Sequence, residues 1–210
     1  MARQAFEGFR RWTHGFGSRT LDFRRETDGV KLKVYRYGEK VLREKATPVA
    51  VVDDRLRKLA ADMVETMHES KGVGLAAEQV GRLERMCVID IPEGCDESED
   101  ELFNAPIQMP LVLFNPEIVA QEGSQRDKEG CLSFPNVGGS LTRAAQVTCQ
   151  YLDADNRPQM ITARGFLARA LQHEIDHLNG ILYIDRMSAV ERLTFAPKLK
   201  KLAKANGGTR

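Results

Sequence analysis

The sequence predicts an α+β fold, and three observations lead there. Helical and strand-like patterns come in blocks: one long helix in the first half, several strands after it, then helices to the C-terminus, rather than alternating βαβ units. One late helix carries His173 and His177 four residues apart on a largely apolar face. The 210 residues, 42% hydrophobic and 29% charged, suffice for one substantial core but show no repeat or second core. The expected arrangement is small mixed or antiparallel sheets packed around a central metal-binding helix, with one helix in the N-terminal half and another at the C-terminus.

Taken in order, residues 1 to 29 have no clean period, although Phe6, Phe9, Trp12 and Phe16 recur at helical intervals and fit either a short docked helix or a loose extension. Lys31 to Tyr37 alternates polar and apolar residues and predicts a first strand, closed by Gly38. Asp53 to Ser70 is the best-patterned helix, with Leu56, Leu59, Ala60, Met63, Val64 and Met67 on one face, Asp53 as N-cap and His68 facing solvent. The following run from Lys71 to Gly81 holds three glycines, which permit close backbone approach to a ligand. No Gly-Lys-Ser/Thr sequence follows, so a nucleotide site is not expected. Arg85 to Ile91 reads as a buried strand, and residues 93 to 101 as a solvated acidic loop. Leu111 to Gln121 reads as a strand pair or one strand bent at Pro116. Val147 to Asp153 and Gln159 to Ala163 form a hairpin around Ala154-Asp155-Asn156-Arg157. From Gly165 the pattern turns helical, Ile181 to Ile184 is a short extended piece, and Ala189 to Ala205 is a last helix interrupted near Pro197 and rich in lysine.

A formal net charge of +1 gives no global reason to expect sequence-specific nucleic-acid binding, and no apolar run is long enough for a membrane span. Cys87, Cys95, Cys131 and Cys149 form no C-x-x-C pair, and the first thirty residues lack an apolar signal core. A reducing cytoplasm is the expected compartment. The six arginines in residues 1 to 30 would fit an organellar targeting segment, but Glu7, Asp22, Glu26 and Asp28 weigh against one.

Chemistry concentrates in Gln172 to His177. Residues four apart on a helix bring both imidazoles within reach of one ion, and Glu174, rotated about 100° from His173, can hold a water beside it as general base. The same two histidines also fit surface or hydrogen-bonded core residues. A catalytic site needs a third ligand. No histidine follows His177, the position that a longer zinc-protease pattern would fill is Tyr183, and Glu191 lies cramped as a ligand. The search therefore moves upstream to Cys131, in a glycine-flanked segment, while Cys87, Cys95 and Cys149 read as structural.

Three segments then resemble the motifs of the peptide deformylase family: Gly72-Val73-Gly74-Leu75-Ala76-Ala77-Glu78-Gln79, Glu129-Gly130-Cys131-Leu132-Ser133, and Gln172 to His177. The likeness divides the chain into an extension (1 to 30), a catalytic body (31 to 188) and a basic C-terminal helix and tail (189 to 210). It implies hydrolysis of N-formylmethionyl peptides to formate, with Cys131, His173 and His177 on a divalent ion and Glu174 carrying the proton. By the same likeness the Gln79 amide and Leu132 N–H face the oxyanion, and Gly72, Val73, Gly74 and Leu75 run beside the substrate. Fe²⁺ is the implied ion, with Zn²⁺, Ni²⁺ or Co²⁺ suited to the same donors. Glu129 and Arg143 are expected to pair and stiffen the Cys131 segment, and Asp176 to accept hydrogen bonds rather than ligate. Glu78 departs from the family, which commonly has proline or a small residue there; its charge is expected to face solvent or to alter the mouth of the site. Competing functions are a zinc peptidase and a non-catalytic metal-binding protein associated with ribosomes through the lysine-rich end.

Overall fold

A computed structural model describes residues 30–92, 94–95 and 103–207. The aromatic quartet Phe6, Phe9, Trp12 and Phe16 lies outside them. Among the described residues the architecture is α+β, with three longer helices and two sheets.

Helix α1 spans Asp54–Glu69 and starts where the sequence indicates, the Asp53 carboxylate accepting from the Leu56 N–H. Its buried stripe of Leu56, Leu59, Ala60, Met63, Val64 and Met67 covers one face of the main sheet. That sheet runs in the order β1 (Gly74–Ala76), β2 (Met86–Ile89), β3 (Leu111–Glu122), β6 (Gln146–Leu152) and β7 (Pro158–Arg164), antiparallel throughout. Side chains alternate across it. Met86, Val88, Val112 and Phe114 pack with α1, whereas Cys87, Ile89, Leu111 and Leu113 pack with α2 (Gly165–Leu178) on the other face. Burial on both faces explains why β2 is an uninterrupted apolar run.

A separate hairpin, β4 (Gln125–Gly130) with β5 (Gly138–Arg143), carries Cys131 and Leu132 in the turn that leaves β4. Helix α3 (Ala189–Ala205) lays Phe195, Leu199 and Leu202 on a third cluster built around Phe134, Leu141, Tyr183 and Met187.

Several expectations are corrected. Lys31 to Tyr37 is extended but not a strand. The Tyr35 and Tyr37 N–H groups donate to the Gln79 and Ser133 carbonyls, in turns that offer no ladder. Residues 125 to 143, in which no strands were expected, form the second hairpin. Of the two readings of Leu111 to Gln121, the single bent strand holds: Leu111–Glu122 bends where Asn115 adopts a φ of +51° and its side chain bonds both backbone groups of Val49. Tyr183–Asp185 is a turn of 3₁₀ helix rather than extended, closed by Asp185 accepting from the Leu182 N–H. Helix α3 continues through Pro197, whose missing bond falls at the carbonyl of the solvent-exposed Leu193.

Leu113, fully buried between sheet and α2, tests this core. Leu113→Ala should lower stability by about 2–5 kcal/mol, read as a lower urea midpoint at unchanged slope, while exposed Val119→Ala should shift it little.

Candidate active site

Helix α2 places its sheet-facing stripe of Leu167, Leu171, Ile175 and Leu178 in the core and turns His173 and His177 toward the β4–β5 hairpin. The two imidazoles lie edge to face with centroids 5.1 Å apart. Cys131 meets them from the hairpin, its Sγ 3.3 Å from His177 Nε2, and one donor atom from each of Cys131, His173 and His177 lies within 4.8 Å of the others. Glu129 Oε2 is 3.0 Å from His173 Nδ1, which fixes the ring and leaves Nε2 to face the site.

Gln79 is oriented by the turn that holds it. Its Oε1 accepts from the Ala76 N–H, so its amide N–H₂ points at Cys131 Sγ (3.3 Å) and Ser133 Oγ (3.1 Å). Glu174 is buried on α2, with Oε2 unpartnered among the described residues and Oε1 against β1. A Cβ at Gly74 would lie 2.3 Å from that oxygen, and one at Gly72 would lie 2.8 Å from Leu132 Cδ1. These two glycines let the free edge of β1 approach the site.

Behind the ligands runs a buried chain of charges. Arg143 donates through Nε and Nη2 to both oxygens of Glu129 (2.9 Å each) and through Nη1 to Asp176, Arg169 donates to Glu129 Oε1 (2.7 Å), and Arg186 grips Asp176 from the surface. Burial alone would disfavour the Glu129 carboxylate, but hydrogen bonds from Arg143 and His173 outweigh it and hold the group well below the usual range. At His173 burial likewise opposes charge, and Cys131 and Glu129 overcome it; at His177 burial wins, reinforced by the charge on His173. Burial also pushes Glu174 up to about 7, near where a residue that both takes and returns a proton works best.

The expected residues thus converge with two exceptions. The Leu75 side chain is buried in the α1 cluster and does not line the cleft. Glu78 neither faces solvent nor stands at the mouth: it is fully buried, because the 3₁₀ turn Ala77–Val80 directs it inward as it aims Gln79 at the site. Neither of its carboxylate oxygens has a hydrogen-bond partner among the described residues, and burial, with Glu174 nearby, raises it to about 8. Sequence reasoning missed Arg169 and Ser133. Arg169, one turn before His173 on the helix face that also bears Gln172 and Asp176, was the available signal.

The centre opens into a cleft of about 1200 Å³ along β1, lined at depth by Val73, Phe166, Ala170 and His173. A hollow of similar size, about 1320 Å³, lies on the other side of α2, but its arginines Arg85, Arg143 and Arg186 are engaged by carbonyls, Asn179, Glu129 and Asp176. We therefore place the chemistry in the first.

A cysteine and two histidines converging beside a buried glutamate, under an open strand edge, define a metal-dependent hydrolase. Residues 31–193 match the family model described as polypeptide deformylase. A peptide deformylase of Nitrosococcus oceani is 44% identical over 170 residues, 81% of this chain and 95% of that protein. Two solved peptide deformylases are also similar. That from Thermus thermophilus has a TM-score of 0.73 and 35% identity, covering 84% of this chain and 99% of the other. That from Ehrlichia chaffeensis in complex with actinonin has a TM-score of 0.73 and 38% identity, covering 82% and 97%. The chain belongs to the polypeptide deformylase family, metal-dependent enzymes that hydrolyse the N-formyl group from N-formylmethionyl peptides.

Glu78 gives a test with a defined sign. Folding raises its carboxyl from the ordinary 4.5 to about 8, so the folded state binds the extra proton between those values and loses stability as pH rises through them. Glu78→Gln removes a penalty on the order of several kcal/mol at the upper end of that window. The gain in Tm should be small at about pH 5 and largest at about pH 8; an equal gain at both would mean that folding does not raise the Glu78 carboxyl.

Proposed function

We propose that Cys131, His173 and His177 hold the ion and that Glu174, Gln79 and Leu132 carry out deformylation at it. The observation that carries this reading is the convergence of the three donor atoms within 4.8 Å beside a Glu174 that touches the β1 edge. The donor set fits a divalent ion: one sulfur and two imidazoles, one of them already fixed through Nδ1, leave room for a further ligand. When bound, the ion supplies Lewis acidity, polarising the formyl carbonyl and making water more acidic. Fe²⁺ as the resident ion rests on the family resemblance; Zn²⁺, Ni²⁺ and Co²⁺ suit the same donors.

The peptide lies extended along Gly72, Val73 and Gly74, bonding to their backbone as an added strand, with its methionine side chain toward Phe166 and Ala170. Glu174 accepts a proton from the attacking water, whose oxygen bonds to the formyl carbon. The Gln79 amide and the Leu132 N–H stabilise the charge that develops on the formyl oxygen. Glu174 then returns the proton as the C–N bond breaks, giving formate and a free amine. Glu129 and Arg143 hold His173 in place throughout.

Residues 31–188 are taken as the catalytic body, with 1–30 and 189–210 as appendages; the family match over residues 31–193 supports the first boundary and runs five residues past the second. Cytoplasmic residence is supported by four cysteines without a disulfide, and no helix among the described residues is long and apolar enough to cross a membrane. Transient ribosome association is supported by exposed Lys198, Lys200, Lys201 and Lys204 on α3.

The direct test compares a formylated methionyl peptide with its unformylated counterpart. Formate release from the first without cleavage of either chain is expected; internal cleavage would instead favour a peptidase. Glu174→Ala should keep one metal per chain while kcat falls by about 100-fold or more, and undiminished turnover would sink the mechanism. Gly74→Ala, by displacing the Glu174 carboxyl, should lower kcat about 100-fold with the metal retained. Cys131→Ala should lose the metal itself.

A further inference from the structure

The whole chain is nearly neutral, yet the mouth of the catalytic cleft is not. Five cations line it: Lys31, Lys33 and Arg36 on the extended N-terminal segment, Lys71 at the end of α1, and Lys128 on β4. Carboxylates answer only some of them. Lys31 pairs with Glu69 at 2.9 Å, and Glu39 takes Lys33 at 2.9 Å with Arg36 alongside. Lys71 and Lys128, both exposed, have no carboxylate partner among the described residues, and the mouth is left net positive.

The position of Lys71 gives this charge a register. With the formyl group at Glu174 beside Gly74, a peptide leaving β1 past Val73 and Gly72 runs toward Lys71, three residues before Gly74, so that its second and third residues are the ones nearest this charge. The Lys71 backbone, with a φ of +57°, forms the turn linking α1 to the edge, and the residue lines the same cleft. We infer that the mouth selects substrates by charge, favouring formylmethionyl chains with Asp or Glu at the second or third residue and disfavouring Lys or Arg there. This rests on the deformylase reading and names a substrate preference within it. Such pairs at a half-exposed rim are each worth a modest, salt-sensitive amount, corresponding to about a twofold to fivefold effect.

The experiment measures kcat/KM for formate release from three peptides, formyl-Met-Ala-Asp-Ala, formyl-Met-Ala-Ala-Ala and formyl-Met-Ala-Lys-Ala, with the metal-loaded full chain in low salt and in about 0.5 M NaCl. The acidic peptide should exceed the neutral one by about twofold to fivefold and the basic one by more, mainly through KM, with the spread narrowing in high salt. Lys71→Asn, which tolerates the left-handed backbone, should bring the acidic peptide to the level of the neutral one, and Lys128→Glu should shift preference toward the basic peptide. Equal kcat/KM for all three peptides, or a spread that neither salt nor the variants change, overturns the proposal while leaving deformylation intact. No formate from any peptide removes the underlying reading and the proposal with it.

Discussion

The site depends on one buried interaction, the two-pronged grip of Arg143 on Glu129. A carboxylate 6% exposed and an arginine 5% exposed could not be tolerated singly, because a lone charge out of water costs several kcal/mol. Together with Arg169 and Asp176 they satisfy one another. Arg186 closes the chain where it reaches the surface. This network joins three parts that are distant in sequence: the turn carrying Cys131, the helix carrying both histidines, and the segment leading into α3. Its stabilising value against an apolar replacement is small. Its effect is directional, since it leaves His173 one orientation.

A second constraint is the steric demand at β1. The same helix that carries His173 and His177 presses Glu174 against the strand edge at Gly74, leaving no room there for a side chain. Glycine at positions 72 and 74 is thus a condition of the site rather than a flexible loop. The 3₁₀ turn that follows aims Gln79 at the Cys131, His173 and His177 cluster, and in doing so it buries Glu78 without a hydrogen-bond partner among the described residues. One residue is favourably placed at the cost of its neighbour.

Much of this was legible in the sequence because it follows from local periodicity. Helix α1 and its cap, the helix bearing both histidines, β2 and the last hairpin all announce themselves in residue spacing. Cys131 could be reached by asking what His173 and His177 lacked. What escaped was set by partners remote in the chain. Residues 31 to 37 alternate like a strand but meet turns instead of a strand. The β4–β5 hairpin is polar and glycine-rich, with too little apolar alternation to show itself. The depth of Glu78 follows from a turn of 3₁₀ helix packed against α2, which no window of sequence contains. Arg169 was missed because its counter-charge, Glu129, lies forty positions earlier in the chain.

The geometry of the β1 edge also bears on timing. An edge that takes its substrate as an added strand is narrow in its demands: it accepts a single extended backbone and nothing folded. Main-chain recognition along such an edge depends little on side-chain shape, with charge at the mouth adding only a modest bias, so one enzyme can serve a very large set of unrelated proteins. The same narrowness closes the door once a chain's first residues enter a helix, a sheet or a core. On the proposed reading, the enzyme therefore competes with the folding of its own substrates, and its window is the interval in which a young N-terminus is still loose.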